Sequence, residues 1–444
     1  MQFAGIARVT ATAIQDLRGR EIFDSRGRPT VEAEIWLAGG ASARASVPSG
    51  ASTGAAEACE LRDGDPDRHG GLGARRAASH VGGEIRAALI GFDAADQAGL
   101  DARLASLDGT PQLSRLGANA ALAVSLAAAR AGARAAGQPL YRRLGGIAGG
   151  AAPSLPMPMV NILSGGLHAG HGMDVQDFLV IPVGAATYGE AMEWALRVRE
   201  SAAALMVDAG QSTLLADEGG LSPGFTDSRE ALTLMVRSIE AAGLRPGEDA
   251  AIGLDIAASG LVDADGTYRF DRASRGFDAG DLIDLLVGWA RDFPIVSIED
   301  GLAEEAWRHW PDLTEALGHI QVIGDDLFCT NADRIARGLA KGCANSALIK
   351  VNQAGTLTRA LDALAAARRG GMSTVVSARS GETEDDFIAD LAVGTAAGQI
   401  KIGSVRNAER MTKYNRLLRI EEDGLPFAGR AALAPSTRGV ADGR

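Results

Sequence analysis

The sequence has 444 residues, of which 44 are basic and 56 acidic, so its formal net charge is −12. This negative charge argues against non-specific binding to nucleic acids or to an anionic membrane surface. Hydrophobic residues make up 46% of the chain, and its length is sufficient for two or three globular domains with buried cores.

The first third of the sequence predicts a small α+β domain at residues 1–150. Apolar side chains alternate with other residues at Val31, Ala33, Ile35 and Leu37, which is typical of a strand, and Gly39–Gly40 indicates a turn. Helical patterns dominate from about residue 74 to 144. The prolines between 153 and 158 then indicate a linker to a second domain at 151–444.

The second domain is predicted from a repeated spacing of short apolar segments. Their last residues are Asp255, Glu299, Asp325, Lys350, Ala378 and Lys401, with gaps of 44, 26, 25, 28 and 23 residues. A spacing of about 25 residues accommodates one strand, one helix and two loops. We therefore expect a parallel α/β (TIM-like) barrel whose strands end at one active-site face, with an open, doubly wound sheet as the alternative.

The basic residues are unusual because only four of the 44 are lysines, namely Lys341, Lys350, Lys401 and Lys413. The remaining 40 are arginines. Arginine stays protonated and cannot act as a base, whereas lysine can. The lysines are therefore the first residues to consider for chemistry.

Three acidic residues, Asp255, Glu299 and Asp325, end three successive predicted strands. Converging carboxylates repel one another unless a cation joins them, and ligand sets made only of oxygen suit Mg²⁺. The alternative is that each acid caps a following helix, although the neighbouring Asp300 and Asp326 are also available for capping.

Lys350 and Lys401 end two further strands, where we expect at least one of them to act as a base. A second cation and nearby metal ions should lower the pKa of such a lysine. Metal ions and a lysine base together suit removal of a proton next to a carboxylate. The alternative is that the lysines only neutralise the acids.

Other residues complete the candidate site. Arg379 and Ser380 precede Gly381 after a strand and indicate an anion site, with a helix-capping Ser380 and a surface Arg379 as the alternative. Glu218 is a candidate general acid, and His168 lies in a glycine-rich loop. The loop at 49–54 contains Ser52 and is expected either to close over the barrel and supply oxygen ligands or to be a plain turn.

The sequence resembles the enolase (phosphopyruvate hydratase) family over essentially its whole length. The motifs that carry the resemblance are Asp24-Ser-Arg-Gly, Ser49-Gly-Ala-Ser-Thr-Gly, Asp217-Glu-Gly-Gly, Ser297-Ile-Glu-Asp, Gly324-Asp-Asp-Leu, Leu348-Ile-Lys-Val-Asn-Gln, Arg379-Ser-Gly-Glu-Thr-Glu-Asp and Gly398-Gln-Ile-Lys. The combination is specific, whereas no single motif would be. The family's use of a lysine base with Mg²⁺ is a known example of this chemistry.

The resemblance implies a role for each of these residues. Asp255, Glu299 and Asp325 would bind a first Mg²⁺, and Ser52 a second one that arrives with the substrate. Lys350 would remove the C2 proton of 2-phosphoglycerate, Lys401 would contact the substrate carboxylate, and Glu218 would assist loss of the C3 hydroxyl. Arg379 and Ser380 would bind phosphate, and His168 would contact the substrate. The resemblance also implies a homodimer or larger homo-oligomer.

Several positions depart from the family pattern while the metal ligands and both lysines remain. Ala378 replaces a histidine, Asp177 a glutamate and Ser164 an asparagine, and Ile256, Gly260 and Ile402 also differ. Asp177 remains a candidate catalytic acid. The departures are consistent with drift in a working enolase, or with recruitment to specialised metabolism, as in the carboxyphosphonoenolpyruvate synthases of phosphonate biosynthesis, which use a bulkier partner. A non-catalytic binding protein is a third alternative.

The expected location is the cytoplasm. Three cysteines without metal-site spacing indicate a reducing compartment, and the first residues do not resemble a signal peptide. The longest uncharged stretch, residues 144–173, is interrupted by Pro153, Pro156 and Pro158, so it does not predict a membrane helix.

Overall fold

The computed structural model describes residues 10–51, 54–269 and 276–433. The N-terminal region contains an antiparallel sheet of β1 (Ile14–Phe23), β2 (Pro29–Leu37) and β3 (Ser42–Ser46). The alternation predicted for β2 is confirmed, because Val31, Ala33, Ile35 and Leu37 are all buried. Strand β1 was not predicted, since its many charged side chains hide the apolar face formed by Ile14 and Leu17.

Helices cover one face of this sheet. They are α1 (Arg75–His80), α2 (Arg86–Leu89), α3 (Gln97–Asp108), α4 (Ala118–Ala135) and α5 (Leu140–Ile147), with one π-helical turn, Val81–Ile85, between the first two. The alanine-rich α4 is buried on most sides and packs on β2 and β3. Small side chains allow this close approach, and helices that are apolar all round are typically buried.

The second region is a closed barrel of eight strands, which confirms the barrel over the open sheet. The strands are β4 (Met157–Ser164), β5 (Asp177–Ile181), β6 (Ala251–Asp255), β7 (Ile295–Glu299), β8 (Gln321–Gly324), β9 (Ser346–Ile349), β10 (Ser373–Ser377) and β11 (Gly398–Gly403). The barrel closes through β11 and β4. The expectation of a wholly parallel sheet is wrong, because β5 runs antiparallel to both β4 and β6. The tight connection from β4 through the His168 loop returns the chain in the opposite direction.

Helices of the second region surround the barrel. They are α6 (Tyr188–Asp208), α7 (Ser228–Ala241), α8 (Ala279–Asp292), α9 (Trp310–Leu317), α10 (Ala332–Lys341), α11 (Val351–Ala354), α12 (Leu357–Arg369), α13 (Phe387–Gly394) and α14 (Ala408–Glu421). α12 shows why these segments are helical: Thr356 caps its start, and Leu357, Leu361 and Leu364 face the core. Short 3₁₀ turns occupy His69–Gly71, Leu167–Ala169, Ala258–Gly260 and Gly429–Ala432.

The barrel interior is filled at one end, and this leaves the other end for the charged residues. Met157, Leu179, Ile181, Leu348 and Val375 form part of an apolar cluster inside the barrel. The acids and lysines lie at the opposite ends of the strands. Between the two regions α5 ends at Ile147 and β4 begins at Met157, while the domain boundary at residue 150 stays a prediction. Across the described ranges, no helix is long and apolar enough to cross a membrane.

Candidate active site

Five charged side chains from neighbouring strands meet at the mouth of the barrel. Asp255 and Glu299 are the last residues of β6 and β7, Asp325 and Lys350 directly follow β8 and β9, and Lys401 lies within β11. The register aligns them, since Asp255 pairs with Glu299 and Ser377 of β10 pairs with Lys401. The structure therefore brings together the acids and lysines that end the predicted strands.

Lys401 lies among three acids. Its Nζ is 2.6 Å from Asp255 Oδ2, 2.8 Å from Glu299 Oε2 and 3.8 Å from Asp177 Oδ2. Burial opposes the charge on the ammonium, but the attraction of Asp255 and Glu299 is stronger and raises the pKa of Lys401 well above its ordinary value. Lys401 is therefore a cation that neutralises part of the acidic cluster.

Lys350 is paired with one acid and is near two other cations. Its ammonium donates to Asp325, whose other oxygen accepts from Gln353 Nε2 at 2.9 Å. Burial lowers the pKa of Lys350, as do Arg379 and Lys401, but Asp325 and Glu299 outweigh them and raise it. Among the protein's own residues the pKa of each lysine is raised, because each ammonium has a carboxylate in direct contact. The predicted lowering depends on bound metal ions and stays a prediction.

The three acids have the chemistry of a site for a hard divalent cation. Glu299 Oε1 is buried without a hydrogen-bond partner among the described residues. Burial, with the negative charge of Asp255 nearby, raises the pKa of Glu299 well above its ordinary value. A buried, unsatisfied oxygen beside two further carboxylates fits Mg²⁺, which prefers oxygen ligands. Ser52, the proposed ligand from the loop, lies outside the described residues.

Asp300 lies beside the candidate metal ligands and hydrogen-bonds to the backbone. Its carboxylate accepts the backbone N–H groups of Asp325 at 2.9 Å and of Asp326 at 2.8 Å. Atoms of Asp300, Asp325 and Asp326 also approach one another within 4.8 Å. Since both Asp300 oxygens already accept from the backbone, we assign Asp300 to bracing the turn that carries Asp325.

His168 lies between two carboxylates on the other side of the pocket. Its Nε2 is 3.2 Å from Asp177 Oδ1, and its Nδ1 is 3.8 Å from Glu218 Oε1. Burial opposes the imidazolium, yet Asp177 and Glu218 outweigh it and raise the pKa of His168 to about 9. The His168 side chain is therefore a positively charged imidazolium at neutral pH.

The two carboxylates beside His168 differ in their preference for a proton. Burial raises the pKa of Asp177, which also accepts from the Asn161 amide. For Glu218, burial is outweighed by Arg410 and His168, so its pKa is lowered. The role of Glu218 as a general acid stays a prediction, and the His168 and Asp177 pair lies next to it.

The candidate anion site lies directly after β10. Arg379 donates from Nη1 to Glu57 Oε2 at 2.9 Å and from Nη2 to Glu57 Oε1 at 3.2 Å. Ser380 Oγ accepts from Arg26 Nη1 at 3.0 Å, and Arg26 is paired with Asp24. The buried Ala378 lies beside these residues. The predicted pair is therefore close to the lysines, but it is also engaged by residues of the N-terminal region.

Most of the candidate residues face one small pocket with a cavity volume of about 30 Å³. It is lined by His168, Asp177, Glu218, Asp255, Lys350, Ala378, Arg379, Ser380 and Lys401. Sequence reasoning missed Glu57, Arg26, Asn161 and Gln176 as participants; Gln176 Nε2 donates to Asp255 Oδ2 at 3.0 Å. Arg26 lies within the Asp24-Ser-Arg-Gly motif, Glu57 follows the motif that ends at Gly54, and Asn161 is a polar residue within an apolar strand. These features of the sequence could have indicated that the three residues belong to the site.

Comparison with known families agrees with this arrangement. Residues 14–144 match the family model described as the enolase N-terminal domain. Residues 152–434 match the model described as the enolase C-terminal TIM barrel domain. The two matches cover most of the chain, in the order of the sheet region followed by the barrel. The chain belongs to the enolase family.

Proposed function

We propose that this protein removes water from 2-phosphoglycerate to give phosphoenolpyruvate, with Mg²⁺ as cofactor. Both enolase domains support a lyase of the enolase superfamily. The observation that carries the more specific proposal is the contact of Lys350 with Asp325 and of Lys401 with Asp255 and Glu299. Both lysines also line the buried pocket. The expected substrate is accordingly a small phosphorylated three-carbon acid.

Metal binding is assigned to the acids. Asp255, Glu299 and Asp325 would hold one Mg²⁺, and Ser52 would join a second that binds with the substrate. When bound, these cations supply positive charge that stabilises the carboxylate of the substrate as it gains a second negative charge. The donor set of three carboxylates and the unsatisfied Glu299 Oε1 support this assignment.

Lys350 is proposed as the base that takes the proton from C2. It must be a neutral amine when it does so. Arg379 and Lys401 lower its pKa, but Asp325 and Glu299 outweigh them, so the proposal requires a bound cation to balance the charge of these acids. Lys401 remains charged and contacts the substrate carboxylate. Arg379 and Ser380 bind the phosphate, for which guanidinium and hydroxyl donors are suited.

The second half of the reaction is proposed to use His168, Asp177 and Glu218. The C–H electron pair forms the C2–C3 double bond, and the C3–O bond breaks as the hydroxyl leaves. A proton held by the His168 and Asp177 pair, next to Glu218, converts the leaving group to water. Because the pKa of His168 is raised to about 9, its imidazole ring is protonated at neutral pH and can hold this proton.

The direct test mixes the protein, Mg²⁺ and 2-phosphoglycerate and follows the absorbance of the enolpyruvate product. We expect product formation that stops when a chelator removes Mg²⁺. A lack of product at high enzyme concentration would overturn the proposal. Transfer of solvent deuterium to C2 is measured in parallel, since proton removal is the first step.

A second candidate function is favoured by Ala378. Its methyl group is buried in the pocket wall beside Arg379, where a small side chain leaves room for a larger group. We propose as the alternative an enolase homologue of specialised metabolism, such as a carboxyphosphonoenolpyruvate synthase, acting on a phosphoglycerate-derived substrate with a phosphonate partner. Deuterium exchange at C2 without dehydration would favour this alternative over the first proposal.

We also propose a cytoplasmic homodimer or larger homo-oligomer that binds neither nucleic acid nor membranes. The family resemblance supports the assembly, and the net charge of −12 supports the absence of nucleic-acid binding. Sedimentation velocity would measure the assembly directly. A monomer at micromolar concentration would contradict it.

A further inference from the structure

An acid from the N-terminal region holds the candidate phosphate arginine of the barrel. The carboxylate of Glu57 accepts from both Nη1 and Nη2 of Arg379, at 2.9 and 3.2 Å. Only 7% of Glu57 and 5% of Arg379 is exposed, so the pair is shielded from water. A bidentate pair between a guanidinium and a carboxylate fixes direction as well as distance.

Glu57 is itself held in place by other groups. Its Oε1 accepts from the backbone N–H of Gly54 at 2.9 Å and from Gln353 Nε2 at 3.4 Å. The same Gln353 nitrogen is 2.9 Å from Asp325 Oδ1. Glu57 is thus linked through Gln353 to Asp325, one of the candidate metal ligands.

The backbone of Arg379 is fixed without Glu57. Arg410 donates from Nη1 to Arg379 O and from Nη2 to Ser380 O, each at 2.7 Å. The Arg379 N–H donates to Glu382 Oε1 at 3.1 Å, and Lys413 pairs with the other oxygen of Glu382 at 3.0 Å. A change at Glu57 should therefore affect where the guanidinium points and leave the path of the chain unchanged.

Glu57 also makes the buried charge of Arg379 tolerable. Burial opposes this charge, and the attraction of Glu57 is the largest effect that favours it, so the pKa of Arg379 is raised. Lys350 lies in the same pocket and is repelled by Arg379. Nη1 of Arg379 also donates to Asn352 Oδ1 at 3.0 Å, so loss of the Glu57 carboxylate would remove the bidentate partner that fixes the guanidinium and the negative charge that balances it.

We propose that Glu57 is a positioning residue, which aims Arg379 at the phosphate of the substrate without touching the substrate itself. The phosphate site is then shared between the two regions of the chain, because its arginine comes from the barrel and the acid that directs it from the N-terminal region. This inference rests on the proposed function for the identity of the substrate. The binding of a phosphate group at Arg379 can be tested without it.

The experiment compares Glu57→Gln with wild type and with Glu60→Gln. Both variants remove one negative charge from the same segment. Glu60 hydrogen-bonds to Arg62 and Ser49, and its electrostatic effect on Arg379 is smaller than that of Glu57. Calorimetry measures the Kd for inorganic phosphate in the presence of Mg²⁺, and kinetics measure KM and kcat for 2-phosphoglycerate. For Glu57→Gln we expect Kd and KM to rise about tenfold with a smaller change in kcat, as for loss of one charged hydrogen bond. Glu60→Gln should stay within about twofold of wild type.

A double variant tests whether Glu57 acts through Arg379. Once Arg379→Gln has been made, the further change Glu57→Gln should leave the phosphate Kd unaltered, whereas independent effects would add. The shorter Glu57→Asp keeps the charge but cannot span the same distance, so it should also weaken binding. If Glu57→Gln does not fold, Glu57→Asp takes its place in the comparison with Glu60→Gln.

Three results would overturn the proposal. They are an unchanged phosphate Kd in both Glu57 variants, equal losses in the Glu57 and Glu60 variants, and additive losses in the double variant. Failure of the proposed function has a different signature. In that case wild type does not dehydrate 2-phosphoglycerate, while phosphate binding still depends on Glu57.

Discussion

The ammonium of Lys401 lies 2.8 Å from one carboxylate oxygen of Glu299, while the other oxygen of Glu299 is buried without a hydrogen-bond partner in the described part of the chain. One side chain thus presents a neutralised oxygen and an unsatisfied one. The first keeps Lys401 in the pocket, and the second is suited to a cation. Removal of this carboxylate should therefore affect metal binding.

Glu299→Gln should abolish most of the stabilisation that Mg²⁺ provides. A ligand at 100 times its Kd stabilises the folded state by about 2.7 kcal/mol, which thermal unfolding detects as a higher Tm. We expect this Mg²⁺-dependent rise in wild type and in Glu305→Gln, whose side chain is exposed, and not in Glu299→Gln. An equal rise in all three proteins would show that Glu299 does not bind the ion.

Lys350→Arg should lose activity as completely as Lys350→Ala. Arginine keeps the positive charge beside Asp325 but cannot accept a proton at neutral pH. Loss of a general base lowers kcat by about 10²–10⁴-fold, measured with 2-phosphoglycerate. The matched control is Lys341→Arg at the exposed end of α10. Substantial activity in Lys350→Arg would indicate that this lysine only neutralises the acids.

The charge of His168 should make stability depend on pH. Its pKa of about 9 in the folded protein exceeds the ordinary value of 6.5. The stabilisation is therefore complete below pH 6.5 and is lost as the pH rises towards 9. The stability difference between wild type and His168→Gln should fall by about 3 kcal/mol over this interval, measured by urea unfolding without metal. Parallel pH curves for the two proteins would contradict the assignment.

Lys413→Arg should destabilise the fold although it keeps the charge. The Lys413 ammonium lies 3.0 Å from Thr383 O, 2.9 Å from Glu409 O and 3.0 Å from Glu382 Oε2. Three acceptors match its three N–H groups, whereas a planar guanidinium is larger and has a different geometry. We expect a loss of about 1–3 kcal/mol in the free energy of unfolding. Lys341→Arg should change it by less than about 0.5 kcal/mol.

The fold was predictable where one face of an element is apolar and the other is not. This holds for β2 and α12, and the regular spacing of the strand ends indicated the barrel. The same reasoning missed β1, whose exposed side carries many charges. It also gave the wrong direction for β5, because the apolar pattern of a short buried strand is the same read forwards or backwards.

The direction of β5 explains why Asp177 was harder to assign than the other acids. In parallel strands the last residue lies at the active-site face, but Asp177 is the first residue of an antiparallel strand, opposite Asp255. Contacts between residues from distant parts of the chain could not be predicted from the sequence either. Glu57 and Arg379 are 322 positions apart, and no local pattern connects them. Only the folded chain brings such residues into contact.

The scarcity of lysine has a practical consequence for chemical modification. The side chains of Lys401 and Lys413 are 7% and 1% exposed and that of Lys350 is 13% exposed, whereas Lys341 faces solvent at the end of α10. An amine-reactive reagent should therefore acylate Lys341 first and the other three only as the fold opens. Labelling of the native protein would attach a probe or a solid support at one defined lysine, at the end of α10 that leads to the start of β9.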